Sequence, residues 1–122
     1  MNKDIELLKW LEQTSDTIKN IESAALAALS RGDVEEYNRG MREKAQLLAG
    51  LAEAVETHLA GVSESIASHV KAELSRFSAS AAKALELNSV FYMSALLYPD
   101  DHRPGEPNNF ELFAAEVAGK IS

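Results

Sequence analysis

The chain has 122 residues, 46% of them hydrophobic with Ala and Leu dominant, a net charge of −7 and no cysteine. That length suits one domain with a sizeable core, and the missing cysteine excludes disulfides, thiolate-held zinc, iron–sulfur clusters and a thiol nucleophile, in agreement with a cytoplasmic location. The negative charge repels phosphate backbones and anionic lipid, so neither nucleic acid nor a membrane surface is expected as partner, and a protein or small molecule is left.

The first ten residues are amphipathic and lack the apolar core of a signal peptide. A first helix is predicted from about Asp4 to Ser30, because Leu7, Leu11, Ile18, Ile21, Ala25 and Ala28 recur at spacings of three, four and seven, with Thr14 a polar interruption. Leu8 and Trp10 widen its apolar surface; packing under a neighbouring helix is the expectation for them, and an exposed anchor the alternative. Arg31-Gly32-Asp33 is the clearest boundary. Gly32 suits the left-handed position after a helix end, Asp33 is a good N-cap, and Glu36 follows three residues later. So short a turn returns the chain antiparallel, which makes a helical hairpin.

The second helix is predicted from Val34 to about Ala60, with Val34, Tyr37, Met41, Ala45, Leu48, Ala52, Val55 and Leu59 as its stripe. Gly40 lies on its polar side, either tolerated or marking a close helix contact. Gly61-Val62-Ser63 reads as a stop and restart, or as a bend in one long helix. A third helix then carries Ile66, Val70, Leu74, Phe77, Ala81 and Leu85, and is predicted to run through Leu87-Asn88-Ser89 into V-F-Y-M-S-A-L-L-Y, residues 90–98, where Pro99 ends it. A helix apolar all round must be covered on every side. At nine residues this run is far shorter than the roughly 20 that span a bilayer. Residues 99–109 hold all three prolines and form a loop; Asn109 is expected to cap a short helix whose Phe110, Phe113, Val117 and Ile121 share one face. A helix of about 12 residues is marginal alone and must dock. The expected fold is all-α: an antiparallel bundle of three long helices over residues 1–98, with the loop and docking helix of 99–122 in the same domain.

Little in the chain points to catalysis. His58 and His69 would share a face on one unbroken helix, with Glu73 four residues after His69, but Glu-x-x-His and His-x-x-x-His pairs are absent. The expectation is solvated or capping histidines, with no metal and no cofactor. Asp100-Asp101-His102-Arg103 sits in the proline loop, where nothing would exclude water or raise a carboxylate pKa. Serines 63, 65, 68, 75, 78 and 80 occur outside any nucleophile motif and read as the wet face of the third helix. No glycine pattern matches a phosphate-binding loop. A non-enzymatic protein is therefore expected.

The aromatic cluster Phe91, Tyr92, Tyr98, Phe110 and Phe113 has two readings. In one, the last helix folds over residues 90–98 and completes the core. In the other, the region binds a helix of another protein or of a second copy, as grooves lined by aromatics and Met do. Whether the last helix is permanent core or a displaceable cover is open at this point.

Residues 26–51, L-A-A-L-S-R-G-D-V-E-E-Y-N-R-G-M-R-E-K-A-Q-L-L-A-G-L, resemble the hairpin of bacterial flagellar export chaperones that serve hook-associated proteins. Gly32-Asp33, Glu43-Lys44 and Leu47-Leu48 stand in the places of that family's pattern. Leu85-Glu86-Leu87-Asn88 is similar to the asparagine-bearing stretch of its later helix. The likeness covers about half the chain; the proline loop and final helix depart from it. It implies a cytoplasmic chaperone or adaptor that holds an amphipathic helix of an export substrate. The residues expected to bind the partner are Leu85, Asn88, Phe91, Tyr92, Leu96 and Leu97, with Phe110, Phe113 and Val117 of the last helix. A structural module that homodimerises through the same aromatic region is the alternative, and a metal-binding or enzymatic bundle a remote third.

Overall fold

A computed structural model describes residues 2–121. Among them are six α-helices and one 3₁₀ turn, with no strand: α1 (Lys3–Ser30), α2 (Val34–Ala49), α3 (Leu51–Ala54) with the 3₁₀ turn Val55–His58, α4 (Glu64–Glu86), α5 (Val90–Ala95) and α6 (Asn109–Lys120). None of these is long and apolar enough to cross a membrane.

The α1–α2 hairpin forms as its turn chemistry requires. Gly32 adopts φ +82°, Asp33 N–H donates to Ala28 O (2.9 Å) and Gly32 N–H to Leu29 O (2.9 Å), closing α1 in a Schellman motif. The Asp33 side chain then caps α2 by accepting from Glu36 N–H (3.1 Å). α4 returns alongside α2, and Ser63 donates its hydroxyl and its backbone N–H to Asp4, which ties the start of α4 to the start of α1. These two bonds hold the Asp4 carboxyl below its usual range. α1 and α4 thus run the same way with α2 antiparallel to both. α6 closes the bundle antiparallel to α1 and α4: Lys19 pairs with Glu111 (3.1 Å), while Phe77 meets Phe110 and His69 meets Glu116 one to two turns further along.

One core runs through the bundle, built from Leu7, Leu11 and Ile18 of α1, Leu48, Leu51 and Val55, Val70 and Leu74 of α4, and Phe110, Phe113 and Val117 of α6. A smaller cluster near the hairpin end joins Ala25, Met41, Ala45 and Ala84 to Met93 of α5.

Several expected boundaries move. Gly61 has φ +81° and lies in a turn, not a bend, so His58 and His69 fall on separate elements. The second helix does not run regularly to Ala60. It breaks at Gly50, because the Ser78 hydroxyl of α4 inserts into its ladder, accepting from Ala52 N–H (3.0 Å) and donating to Leu48 O (2.8 Å). Ser78 is therefore buried between helices and not part of a wet face. The third helix stops at Glu86 and does not reach Pro99. Asn88 takes φ +51°, with Asn88 N–H donating to Leu85 O (2.9 Å) and Ser89 N–H to Ala84 O (3.2 Å), a second Schellman closure with Asn in the glycine position. Ser89 then caps α5 through Tyr92 N–H (3.1 Å). Asn108, not Asn109, caps α6, in a full capping box with Glu111. The Asn108 N–H, assisted by Lys19, holds the Glu111 carboxyl below its usual range.

Gly40 is the close-contact case. A Cβ there would lie 2.7 Å from the Ala25 Cβ across the α1–α2 crossing. Helix propensity alone would gain about 1 kcal/mol from Gly40→Ala, but overpacking costs typically about 1–3 kcal/mol. Urea unfolding should therefore show Gly40→Ala less stable than the parent chain, against the propensity trend.

Candidate partner-binding site

α5 has two faces, and only one is covered. Val90 and Met93 turn inward onto the Ala25–Met41–Ala84 cluster. Phe91 is 74% exposed and Tyr92 52%, and Leu87 beside them at the end of α4 is 51% exposed. The two rings touch edge to face, centroids 5.6 Å apart. The expectation that residues 90–98 are wrapped on all sides is thus corrected. The segment is a helix of six residues with an aromatic edge in water, followed by a tight turn.

That turn is strained. Ala95 O accepts from Tyr98 N–H (3.0 Å), with Leu96 at φ −55°, ψ 134° and Leu97 at φ +77°. This is type II geometry, whose third position normally holds glycine. A leucine tolerates it here because its side chain is buried in the main core and its carbonyl accepts from Asn109 N–H (2.9 Å).

Beneath the turn lies the most unusual group in the chain. The Lys44 side chain of α2 has no exposed surface, and its Nζ lies 2.8 Å from Glu22 Oε2 of α1. It donates to Ser94 O at the end of α5 (3.2 Å) and sits 5.0 Å from the Tyr98 ring centroid. Tyr98 donates its hydroxyl to Glu22 Oε1 (2.7 Å). Burial pushes the Lys44 ammonium pKa below its ordinary value, with Glu22 acting in opposition. Burial, reinforced by Glu22, raises the Tyr98 phenol to about 12. Among the described residues no buried side-chain nitrogen or oxygen lacks a hydrogen-bond partner. The sequence reading missed Glu22 and Lys44 as core positions; the signal was their place on the buried stripes, Glu22 between Ile18 and Ala25, Lys44 between Met41 and Leu48.

Two shallow hollows flank Ser80, Ala95 and Leu96 along the outer side of α4. The upper, of about 550 Å³, lies between α4 and α5 and includes Lys83, Leu87 and Tyr92. The lower, of about 650 Å³, lies between α4 and α6 and includes Glu73, Arg76, Leu112 and Glu116. Of the expected binding residues, Phe91 and Tyr92 are exposed and Leu96 half-buried on the wall shared by the hollows. Leu85 is half-buried against the smaller cluster, and Asn88 is exposed, terminating α4 and accepting from Arg42 Nη1 (2.8 Å). Leu97, Phe110, Phe113 and Val117 are core residues. α6 packs against α1 and α4 and does not lie over α5, so the last three are not brought to the aromatic edge.

The remaining candidates have local roles. Trp10 stacks on His58, centroids 4.4 Å apart, and is half-buried. The carboxylate beside His69 Nε2 is Glu116 (2.9 Å), not Glu73. Asp100 and Asp101 are exposed, and His102 Nε2 lies 2.9 Å from Glu106 O. Among the described residues no three His, Asp or Glu side chains are grouped to hold a metal ion. No family model, curated protein or solved structure matches the chain.

Two outcomes follow from the Lys44 network. Lys44→Met leaves Glu22 uncompensated and should cost about 3–5 kcal/mol in urea unfolding, whereas adding Glu22→Gln, which keeps an acceptor for Tyr98, should recover most of the loss. The folded phenol of Tyr98 titrates above its unfolded value of 10.0, at about 12. Its stabilising contribution is therefore complete below pH 10 and lost as pH rises towards 12. Stability measured across that window should fall less steeply in Tyr98→Phe than in the parent.

Proposed function

We propose that this chain is a non-enzymatic helix-binding protein, a cytoplasmic chaperone or adaptor of the flagellar-export kind, that holds an amphipathic helix of a client against α4 and α5. The observation that carries the reading is the aromatic edge: Phe91, Tyr92 and Leu87 stand in water beside an apolar hollow. Contiguous exposed apolar surface of this kind marks interaction sites. The resemblance of residues 26–51 to the chaperone hairpin supports the client class, and the hairpin that carries it is the scaffold on which α5 sits.

The partner contacts reside on Leu87, Phe91, Tyr92 and Leu96, with Leu85 and Asn88 shaping the α4–α5 corner. A helix is the fitting occupant because the corner is a groove between two helices, the arrangement in which an amphipathic helix seats apolar anchors. Homodimerisation through the same edge is the second reading, since an exposed aromatic pair serves a second copy as well as a client.

Phe91→Asp decides between occupied and idle. Its side chain contributes little to the fold, so circular dichroism and urea unfolding should be nearly unchanged. Binding of a labelled amphipathic helical peptide, read by fluorescence anisotropy, should weaken by about tenfold or more, as expected for losing one large apolar anchor. Undiminished peptide binding by Phe91→Asp would rule out this surface. Light scattering of the parent chain at micromolar concentration separates the readings, a monomer removing the dimer.

A further inference from the structure

We infer that the α4 surface carrying the two hollows is closed by a second copy of this chain, packed antiparallel about a two-fold axis, so that the free protein masks its own helix-binding site. The masking rests on the helix-binding reading, whereas the seam itself stands on the shape and charge of the surface.

Glu73, Phe77, Ser80, Lys83 and Leu87 recur at spacings of three and four, so they share one face of α4. The lower hollow opens beside the first three and the upper beside the last three. Leu96 stands between the hollows and lines both, which makes them two sockets and not a continuous channel. A closed pair of identical chains needs a patch that complements itself after a half-turn. Here the upper part supplies exposed projections, Leu87 and Tyr92, and the lower part a hollow with exposed Leu112 at its side. A two-fold axis crossing α4 midway between Glu73 and Lys83 exchanges these parts. Leu87, nine residues beyond that midpoint at residue 78, then falls at the level of His69 of the other copy. At that level α6 provides Glu116 and, one turn nearer the axis, Leu112. The Leu87–Tyr92 edge of each copy thus enters the lower hollow of the other.

The charges complement each other under the same operation. Lys83 is the only charged group lining the upper hollow, and its pair with Glu86 is loose at 3.7 Å. The lower hollow holds Glu73 and Glu116 against Arg76. The axis sets each Lys83 against Glu73 of the other copy, with Glu116 on the same side, and sets Arg76 against Ser80. Opposite charges meet twice, and such complementarity fixes register and partner. The strip from Glu73 to Leu87 is about 21 Å long, and with the adjoining α5 or α6 it is two helix diameters wide, roughly 20–24 Å. That amounts to on the order of 500 Å² per copy and about 1,000 Å² in the pair, the threshold of a specific interface. A seam of this size is reversible, and a client held at Leu87, Tyr92 and Leu96 competes with it directly.

Sedimentation across the micromolar range should show the parent chain in monomer–dimer equilibrium. Lys83→Glu and Glu73→Lys each set like charges together twice and should weaken self-association by about tenfold or more. Circular dichroism should not change, because neither side chain is buried. Mixed in equal amounts, the two variants should dimerise with each other about as well as the parent does, since every contact again joins Lys to Glu. The labelled amphipathic peptide should convert the parent dimer to a monomer–peptide complex. A parent chain that stays monomeric throughout, or a mixture that dimerises no better than the single variants, would overturn the inference and leave helix binding in place. Peptide binding that leaves the dimer intact would overturn the masking. A dimer with the swapped-charge behaviour that binds no peptide would keep the seam and overturn the helix-binding reading instead.

Discussion

An ammonium ion sealed from water must be neutralised by its neighbours, and Lys44 imposes that demand on three parts of the chain at once. Its compensation comes from the Glu22 carboxylate on α1, the Ser94 carbonyl at the end of α5 and the face of the Tyr98 ring. Removing such a charge from bulk water costs several kcal/mol, recovered only when all of its partners are in place. The Ser94 carbonyl is one of the orphan acceptors at a helix C-terminus, where the helix dipole also favours a cation. Lys44 therefore acts as the C-terminal anchor of a six-residue helix that could not persist by itself.

The position of α5 decides which residues meet water. With its C-terminus held on α2 and its N-terminus capped by Ser89, the helix has one rotation in which Val90 and Met93 fill the gap over Ala25, Met41 and Ala84. Phe91 and Tyr92 then project outward as a geometric consequence. The left-handed Leu97 completes the arrangement by sending its own side chain into the main core and turning Tyr98 back to Glu22. Burial of a leucine, worth about 1.5–3 kcal/mol, is of the size needed to offset a strained backbone position of about 1–3 kcal/mol. The aromatic edge is thus produced by a buried ion, a helix cap and a strained turn acting together.

The parts legible in the sequence are those whose signals are local. Gly32-Asp33-x-x-Glu36 specifies a hairpin within five residues, the Leu and Ala stripes specify helices, and three prolines within 99–107 specify a loop. What escaped is long-range or outvoted. Glu22 and Lys44 fall on the buried stripes, but what admits their charges to the core, the pairing with each other and with Tyr98, 76 residues from Glu22, is long-range. Ser78 resembles its solvent-facing neighbours, and only the opening at Gly50 reveals where its hydroxyl goes. Asn88-Ser89 did carry a local stop and restart, Asn for the left-handed position and Ser for the cap, but the apolar run that follows reads more strongly as continued helix. Leu97 has no sequence signal for positive φ at all. The aromatic residues of the candidate site were therefore identifiable by type, while their division into exposed and buried was not.

That division answers whether the last helix is a lid. Phe110, Phe113 and Val117 lie in the main core against Leu7, Leu11, Leu74 and Phe77, and α6 is fastened at its start by a capping box and by Lys19. Three such side chains contribute about 1.5–3 kcal/mol each, a sum comparable with the whole net stability of a small domain at about 5–15 kcal/mol. Displacing α6 would therefore mean unfolding the bundle. The aromatic edge lies outside α6's footprint and is open without any such movement. The segment from Pro99 to Lys120 thus closes the core on which the aromatic edge is carried.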